Sequence, residues 1–234
     1  MTFLLSAAAA CSAEPDVDER NVESAVPSPA TTASSSTSAA REKVTVLFFG
    51  TSLTAGYGLD PAIAFPNLVA RKAAQAGMPI TAVNAGLSGE TSAGAVRRIA
   101  WSMRQPVDIV VLETGGNDAL RALNADSLET NLRAIVARIR EAQPEARILL
   151  AVMEAPPNLG AGYTARFREA YGEVARDERL TLVPFLLDSV AGRAELNQAD
   201  GVHPNERGER IVADNVWRAL APVVQEVYRR RQNG

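Results

Sequence analysis

VTVLFFGTSLTAGYG, residues 44–58, joins a short and nearly continuous apolar run to a loop that contains three glycines. Such a run is typical of a strand that is buried on both faces, as the strands of a parallel sheet are. Four further runs of this kind occur along the chain: ITAVN (80–84), DIVVLE (108–113), RILLAV (147–152) and LTLVPF (180–185). The sequence therefore predicts five buried strands.

Segments with helical periodicity separate these runs. Their apolar stripes, which we assign to the core, are Ala93, Val96, Ile99 and Met103; Leu128, Leu132, Ile135, Val136 and Ile139; and Phe167, Tyr171 and Val174. Asp126 and Glu129 have the spacing of a capping box, and a last helix is expected from about Glu206 to Tyr228, with a kink at Pro222. This alternation predicts an α/β fold of three α/β/α layers around a five-stranded parallel sheet, similar to flavodoxin. Such sheets bind ligands at the carboxyl ends of their strands.

Composition narrows the function. The formal net charge is −3, so no electrostatic argument favours nucleic-acid binding. No apolar run reaches the roughly 18 residues that a membrane-spanning helix needs. The chain has one cysteine, Cys11, and one histidine, His203. It therefore cannot form an internal disulfide, and it lacks the usual nitrogen and sulfur ligands of a zinc site.

The N-terminal segment differs in composition from the rest of the chain. Met1–Ala10 reads like the end of a secretory signal, and AAAC resembles a bacterial lipobox in which Cys11 is lipidated. Ala8 stands where the lipobox usually has leucine, and no Lys or Arg precedes it, so a plain cleaved signal peptide is the alternative. Residues 12–42, rich in Ser, Thr, Ala and Pro, are expected to form a disordered linker. We thus expect a signal or lipobox-like segment at 1–11, a linker at 12–42 and a domain at 43–230. The protein is expected to be exported, either periplasmic or attached to the membrane through Cys11.

The loop GTSLTAGYG, residues 50–58, admits three interpretations. It lacks the GxGxxG, Walker and GxSxG patterns. In the first, its small hydroxyl residues form a phosphate cradle that binds FMN, as in flavodoxin. In the second, Ser52 is a nucleophile. In the third, the loop is a tight turn with a capping hydroxyl group. The first interpretation makes the protein a flavin- or phosphate-binding module.

Polar residues also come directly after other predicted strands. In TGGND, residues 114–118, the amide of Asn117 and several backbone N–H groups are suited to bind an oxyanion. Formation of a turn explains the same residues equally well. In DGVHPN, residues 200–205, the Asp200 carboxylate is spaced to reach the imidazole of His203 and to fix its tautomer.

Taken together, these blocks resemble the SGNH hydrolases, also called GDSL esterases, from about Val44 to Val224. The four residues that name the family match in order: Ser52 in GTSLTAG, Gly86 in NAGLSGET, Asn117 in GGND and His203 in DGVHPN. AGYG after the serine is similar to the branch of bacterial arylesterases and periplasmic thioesterase/lysophospholipases. One residue departs from the pattern, because Thr51 stands where the family usually has Asp.

The resemblance implies an SGNH hydrolase fold and a serine esterase that needs no cofactor or metal. Ser52, Asp200 and His203 are the implied catalytic residues, and Ser52, Gly86 and Asn117 the implied oxyanion hole. The implied partner is a small-molecule ester with an aryl or a short to medium acyl group, or else a thioester or a lysophospholipid. We expect the loop Glu154–Tyr163 to wall the acyl site, through Pro156, Pro157, Leu159 and Tyr163.

The change in composition near Lys43 generates a first prediction. A truncated protein that begins at Lys43 should fold and keep full esterase activity, because residues 12–42 contain too little apolar surface to belong to a core. It should lose any membrane association, which fractionation of expressing cells would measure. Aggregation or inactivity of the truncated protein would mean that residues 12–42 are part of the fold.

Overall fold

The structure is a computed structural model that describes residues 43–233. Five parallel strands form one sheet in the order β2-β1-β3-β4-β5. They are β1 (Val44–Gly50), β2 (Ile80–Gly86), β3 (Ile109–Leu112), β4 (Arg147–Ala151) and β5 (Thr181–Val183). This is the strand order of flavodoxin-like sheets, and the predicted α/β architecture is confirmed.

Helices cover both faces of the sheet. They are α1 (Ser52–Ala55), α2 (Phe65–Gln75), α3 (Ser92–Ser102), α4 (Gly116–Leu120), α5 (Ala125–Ala142), α6 (Ala161–Asp177) and α7 (Glu206–Asn233). One layer contains α2 packed against α7, and the other contains α5 packed against both α3 and α6. Among residues 43–233, no helix is long and apolar enough to cross a membrane.

The core explains why the first strand is a continuous apolar run. Phe48 and Phe49 in β1 are both fully buried, on opposite faces of the sheet. The Phe48 ring packs edge-on against Phe65 at the start of α2, with ring centroids 5.8 Å apart. The guanidinium of Arg98 in α3 lies 3.9 Å from the centroid of Phe49. Because helices cover both faces, neither side chain of the pair can be polar.

Several boundaries differ from those predicted. β2 continues to Gly86 rather than ending at Asn84, because it pairs with β1 along its whole length. Helix α5 is capped by Asn124, whose Oδ1 accepts the N–H groups of Asp126 and Ser127 at 2.7 and 3.0 Å, so the predicted capping box at Asp126 is wrong. In α3 the buried stripe contains Ala95, whereas Ala93 is exposed.

The C-terminal boundary also differs. Helix α7 runs through Pro222 without interruption and ends at Asn233. Arg231 donates to Oδ1 of Asp108 at 2.6 Å, so the folded unit extends past the expected end at residue 230. The predicted signal segment, Cys11 and the linker lie outside the described residues.

A buried carboxyl group joins the two helices of one layer. Oε2 of Glu209, in the first turn of α7, accepts the N–H of Phe65 at 2.7 Å. This bond satisfies a free N–H at the start of α2, a helix that has no side-chain cap of its own. Loss of solvation raises the pKa of Glu209 to about 8, although the N–H of Phe65 opposes this.

This raised pKa predicts how stability depends on pH. Between about pH 4.5 and pH 8 the unfolded chain releases the Glu209 proton while the folded protein keeps it, so the free energy of unfolding falls across that window. Glu209→Gln keeps an acceptor for Phe65 and removes the titration. The variant should match the parent near pH 5 and exceed it by an amount on the order of 4 kcal/mol at pH 9.

Denaturant unfolding at both pH values would measure this difference. Glu206→Gln is the matched control, because Glu206 is exposed on the same helix and should change neither value. A Glu209→Gln variant whose stability parallels that of the parent at every pH would show that Glu209 is ionised in the folded protein.

Candidate active site

Three predicted residues form a continuous hydrogen-bonded chain at the carboxyl edge of the sheet. Ser52 is the first residue of α1, which follows β1, and its Oγ lies 2.9 Å from Nε2 of His203. Nδ1 of His203 lies 2.7 Å from Oδ2 of Asp200. With the Nδ1 proton directed at the carboxylate, Nε2 of the neutral imidazole is free to accept the serine proton.

The Asp200 carboxylate is held by its own loop. Its Oδ1 accepts the N–H groups of Val202 and His203 at 2.9 and 3.0 Å. The N–H of His203, then its ring, and then the N–H of Val202 lower the pKa of Asp200 to about 2. Asp200 is therefore an anion at neutral pH, and it orients the ring of His203 from a fixed position.

An aromatic ring covers His203 from the side of the first loop. The ring of Tyr57 lies 4.7 Å from the imidazole, centroid to centroid, at an interplanar angle of 40°. Tyr57 had no individual role among the predicted site residues, because a tyrosine within a glycine-rich turn has no signature of its own.

Asn117 faces the same cavity as Ser52 and His203. Its Nδ2 donates one hydrogen bond to the carbonyl of Glu90 at 3.1 Å, which leaves the second amide hydrogen available. Among the hydrogen bonds of residues 43–233, none takes up the backbone N–H of Ser52. Two donors are thus available in the cavity that Ser52 lines.

Gly86 does not occupy its predicted place. It is the last residue of β2, opposite Gly50, and its N–H donates to Oδ1 of Asn84 at 3.0 Å. A Cβ on Gly86 would lie 2.2 Å from the nitrogen of Ala55, so the residue serves the close packing of β2 against α1. The prediction that Gly86 donates to an oxyanion is therefore wrong in this geometry.

Gly89, three residues later, lies where Gly86 was expected. It lines the cavity beside Ser52 and Asn117, and its carbonyl accepts from Nη2 of Arg121 at 3.0 Å. Within the described part of the chain, its N–H has no hydrogen-bond partner. The same sequence block, NAGLSGET, contains both glycines, and the resemblance on which the prediction rested does not by itself distinguish them.

Comparison with known proteins agrees with this geometry. Residues 48–211 match the model of the GDSL-like lipase/acylhydrolase family. Esterase TesA of Pseudomonas aeruginosa is 37% identical over 181 residues, which cover 77% of this chain and 89% of that protein. Thioesterase 1/protease 1/lysophospholipase L1 of Escherichia coli is 33% identical over 181 residues, which cover 77% and 85% of the two chains. The psychrotrophic esterase EstA from Pseudoalteromonas sp., in a structure inhibited by monoethylphosphonate, has a TM-score of 0.72 at 31% identity and covers 77% of this chain and 98% of its own. The chain belongs to the GDSL-like acylhydrolases.

As a member of that family the protein is a carboxylic ester hydrolase, and the resemblance seen in the sequence is confirmed. The flavin- or phosphate-binding alternative finds no support in the first loop. The hydroxyl groups of Thr51 and Thr54 donate to a buried carboxylate, and that of Ser52 contacts His203. All three hydroxyl groups are therefore engaged within the protein.

The buried carboxylate is Glu113, which was not among the predicted site residues. It is fully buried directly after β3, and it accepts the N–H of Thr51 at 2.7 Å, the hydroxyl of Thr51 at 2.9 Å and the hydroxyl of Thr54 at 2.9 Å. Burial raises the pKa of Glu113, and these hydrogen bonds oppose the rise. A charged residue at the end of the apolar run DIVVLE was the available signal.

Thr51 therefore has a definite task in this acylhydrolase. It stands where the family usually has Asp, directly before Ser52, and its hydroxyl donates to the carboxylate of Glu113. A threonine donates without adding a second negative charge to the buried carboxyl group. The loop before Ser52 is therefore held by hydrogen bonds although Thr51 replaces the usual Asp.

The cavity of this hydrolase has a volume of about 540 Å³. Its apolar wall consists mainly of Leu120, Met153, Pro156, Pro157, Phe185 and Leu187. The predicted loop Glu154–Tyr163 contributes only its first four residues. Leu159 is not among the lining residues, and the hydroxyl of Tyr163 donates instead to the carbonyl of Leu123 at 2.6 Å.

Thr51→Val tests the anchor beneath Ser52. The substitution keeps the shape of the side chain and deprives the buried Glu113 of one donor, so the free energy of unfolding should fall by about 1–3 kcal/mol. Thr81→Val, at an exposed position of β2, is the control and should stay within about 0.5 kcal/mol of the parent. Equal stabilities of the two variants in urea would show that the Thr51 hydroxyl does not anchor the loop.

Proposed function

We propose that Ser52 is the nucleophile, His203 the general base and Asp200 the orienting carboxylate of this ester hydrolase. The observation that supports the proposal is the unbroken chain from Ser52 Oγ through His203 to Asp200, with distances of 2.9 and 2.7 Å. Oγ attacks the ester carbonyl while Nε2 of His203 takes its proton. His203 then gives the proton to the leaving alkoxide or phenoxide, and an acyl-enzyme remains. Water, activated by the same imidazole, releases the acid.

The oxyanion of the tetrahedral intermediate receives three hydrogen bonds in this proposal. The donors are the N–H of Ser52, the N–H of Gly89 and the second amide hydrogen of Asn117. All three residues line one cavity, and neither N–H is bonded to another described residue. Fixed donors aimed at a developing negative charge are worth most where water is excluded.

The preferred substrates are esters of neutral aryl or short to medium acyl groups. The cavity volume of about 540 Å³ is that of a small-molecule site. Among its lining residues the charged side chains are the acidic Glu154 and Asp200. Since no Lys or Arg of residues 43–233 lines this cavity, its apolar wall favours neutral esters over the polyanionic part of a coenzyme A thioester.

Relatives support a broader range of acyl donors. One relative is named an arylesterase, and another is named a thioesterase and lysophospholipase. Thioesters and lysophospholipids are therefore the competing classes for this chain. We also propose that the chain is exported and that Cys11 is lipidated, which rests on the sequence of residues 1–11 alone.

A comparison of rates tests the substrate class. The parent protein should hydrolyse p-nitrophenyl acetate and butyrate faster than the palmitate, and faster than a fatty acyl coenzyme A or a lysophospholipid. His203→Ala should lose about 10²–10⁴-fold in kcat on every substrate, because the general base is common to all. Hydrolysis confined to acetylated sugars would overturn the substrate class, and a His203→Ala protein with near-normal rates would overturn the mechanism.

Asn117→Ala tests the oxyanion hole. Loss of one side-chain donor should lower kcat by about 10²–10³-fold and leave KM nearly unchanged, because the bond is strongest in the transition state. Asn67→Ala is a useful control, since Nδ2 of Asn67 donates to the carbonyl of Pro61 away from the cavity. An effect of Asn117→Ala confined to KM would place this residue in substrate binding.

A further inference from the structure

The Ser52–His203 contact joins two loops that are 151 residues apart in sequence. We call residues 51–58 the nucleophile loop and residues 197–205 the histidine loop. A shift of about 1 Å between them would break the contact, and misplacement of that size is enough to cost catalysis heavily. Something other than the reacting pair must therefore fix the two loops relative to each other.

One side chain bonds to both loops. Nε2 of Gln198 donates to the carbonyl of Tyr57 at 2.7 Å and to the carbonyl of Pro204 at 3.0 Å. The backbone N–H of Gln198 donates to the carbonyl of His203 at 2.7 Å. Both amide hydrogens are thus used, one on each loop. Among residues 43–233, the Gln198–Tyr57 bond and the Ser52–His203 contact are the hydrogen bonds that join the two loops.

The nucleophile loop is shaped to receive this amide. A Cβ on Gly58 would lie 2.4 Å from Oε1 of Gln198, so the side chain closes over a position that has no side chain. Gly58 also has a φ of +78°, which favours glycine. Tyr57, whose carbonyl is held, is the residue whose ring covers His203.

The histidine loop keeps its own shape without the Gln198 side chain. Asn197 pairs with Pro204 in an antiparallel bridge, and the N–H of Asn205 donates to the carbonyl of Leu196 at 2.9 Å. Nδ2 of Asn197 also donates to the carbonyl of Val190 at 2.7 Å. Removal of the Gln198 amide should therefore loosen the fit between the loops while each loop remains folded.

We propose that Gln198 is a positioning residue, whose side-chain amide sets the position of His203 relative to Ser52 by bonding the two loops together. The proposal rests on the proposed function of these two residues. It assigns to Gln198 no contact with the substrate. Its effect is expected on the chemical step, since Gln198 does not line the cavity, the apolar wall lies outside both loops, and the Asp200–His203 pair lies within one loop.

Gln198→Met is the test, because methionine keeps the length of the side chain and removes both donors. We expect kcat to fall roughly 10- to 100-fold with KM unchanged. We also expect a change in the pH dependence of kcat. The midpoint of its rise on the acid side should be unchanged, because Asp200 still holds His203, and only the plateau value of kcat should fall. Gln143→Met is the matched control: Nε2 of Gln143 also donates to two carbonyls, those of Met103 and Gln105, far from the cavity. It should leave kcat unchanged.

Gln198→Asn provides a second variant if the methionine protein does not fold. Its shorter amide cannot span both carbonyls, so kcat should again fall at constant KM and nearly constant Tm. If either variant folds and has the same kcat as the parent protein, the proposal is overturned. A loss of kcat with a matching loss of Tm and a moved pH midpoint would also overturn it, because Gln198 would then be a structural residue. Ser52→Ala, measured in parallel, separates these failures: if it retains activity, the proposed function itself has failed.

Discussion

The hydrogen bond between Oγ of Ser52 and Nε2 of His203 is the contact on which the proposed chemistry depends, and the sheet and its loops are arranged to make it. The two atoms lie 2.9 Å apart although 151 residues separate them in sequence. The sheet brings Ser52 to its carboxyl edge at the end of β1. Helix α7 fixes the other partner: a Cβ on Gly208 would lie 2.3 Å from the carbonyl oxygen of Leu196, so the helix begins in direct contact with the chain that leads to His203.

Buried carboxyl groups that accept backbone N–H groups hold two of the loops that meet at the carboxyl ends of the strands. Glu113 holds the turn before Ser52. Asp118, buried beside Asn117, accepts the N–H and the hydroxyl of Ser92 at 2.8 and 2.5 Å, and so ties the start of α4 to the start of α3. Loops beyond the ends of the strands are not held by the hydrogen bonds of the sheet. Buried polar side chains with several hydrogen-bond partners give these loops their rigidity instead. Preorganisation of this kind is what oxyanion stabilisation requires.

Features set by local pattern were predictable from the sequence, whereas features set by long-range contacts were not. Five apolar runs were sufficient for the α/β sheet, because strands covered on both faces must be apolar throughout. His203 and Asp200 were found because their contact spans three residues. The place of Gly86 in the sheet was not predictable, because the apolar run ends at Asn84 and does not show that pairing with β1 extends β2 to Gly86. Glu113 and Gln198 were missed because their partners lie 62 and 141 residues away.

Covalent trapping tests the central claim most directly. A fluorophosphonate should attach one group to the protein, and peptide mass spectrometry should locate it on Ser52. Labelling should be absent in Ser52→Ala and much slower in His203→Ala, because the alkoxide forms only as the imidazole takes the proton. A label on any other residue, or ester hydrolysis that persists in purified Ser52→Ala, would contradict the account.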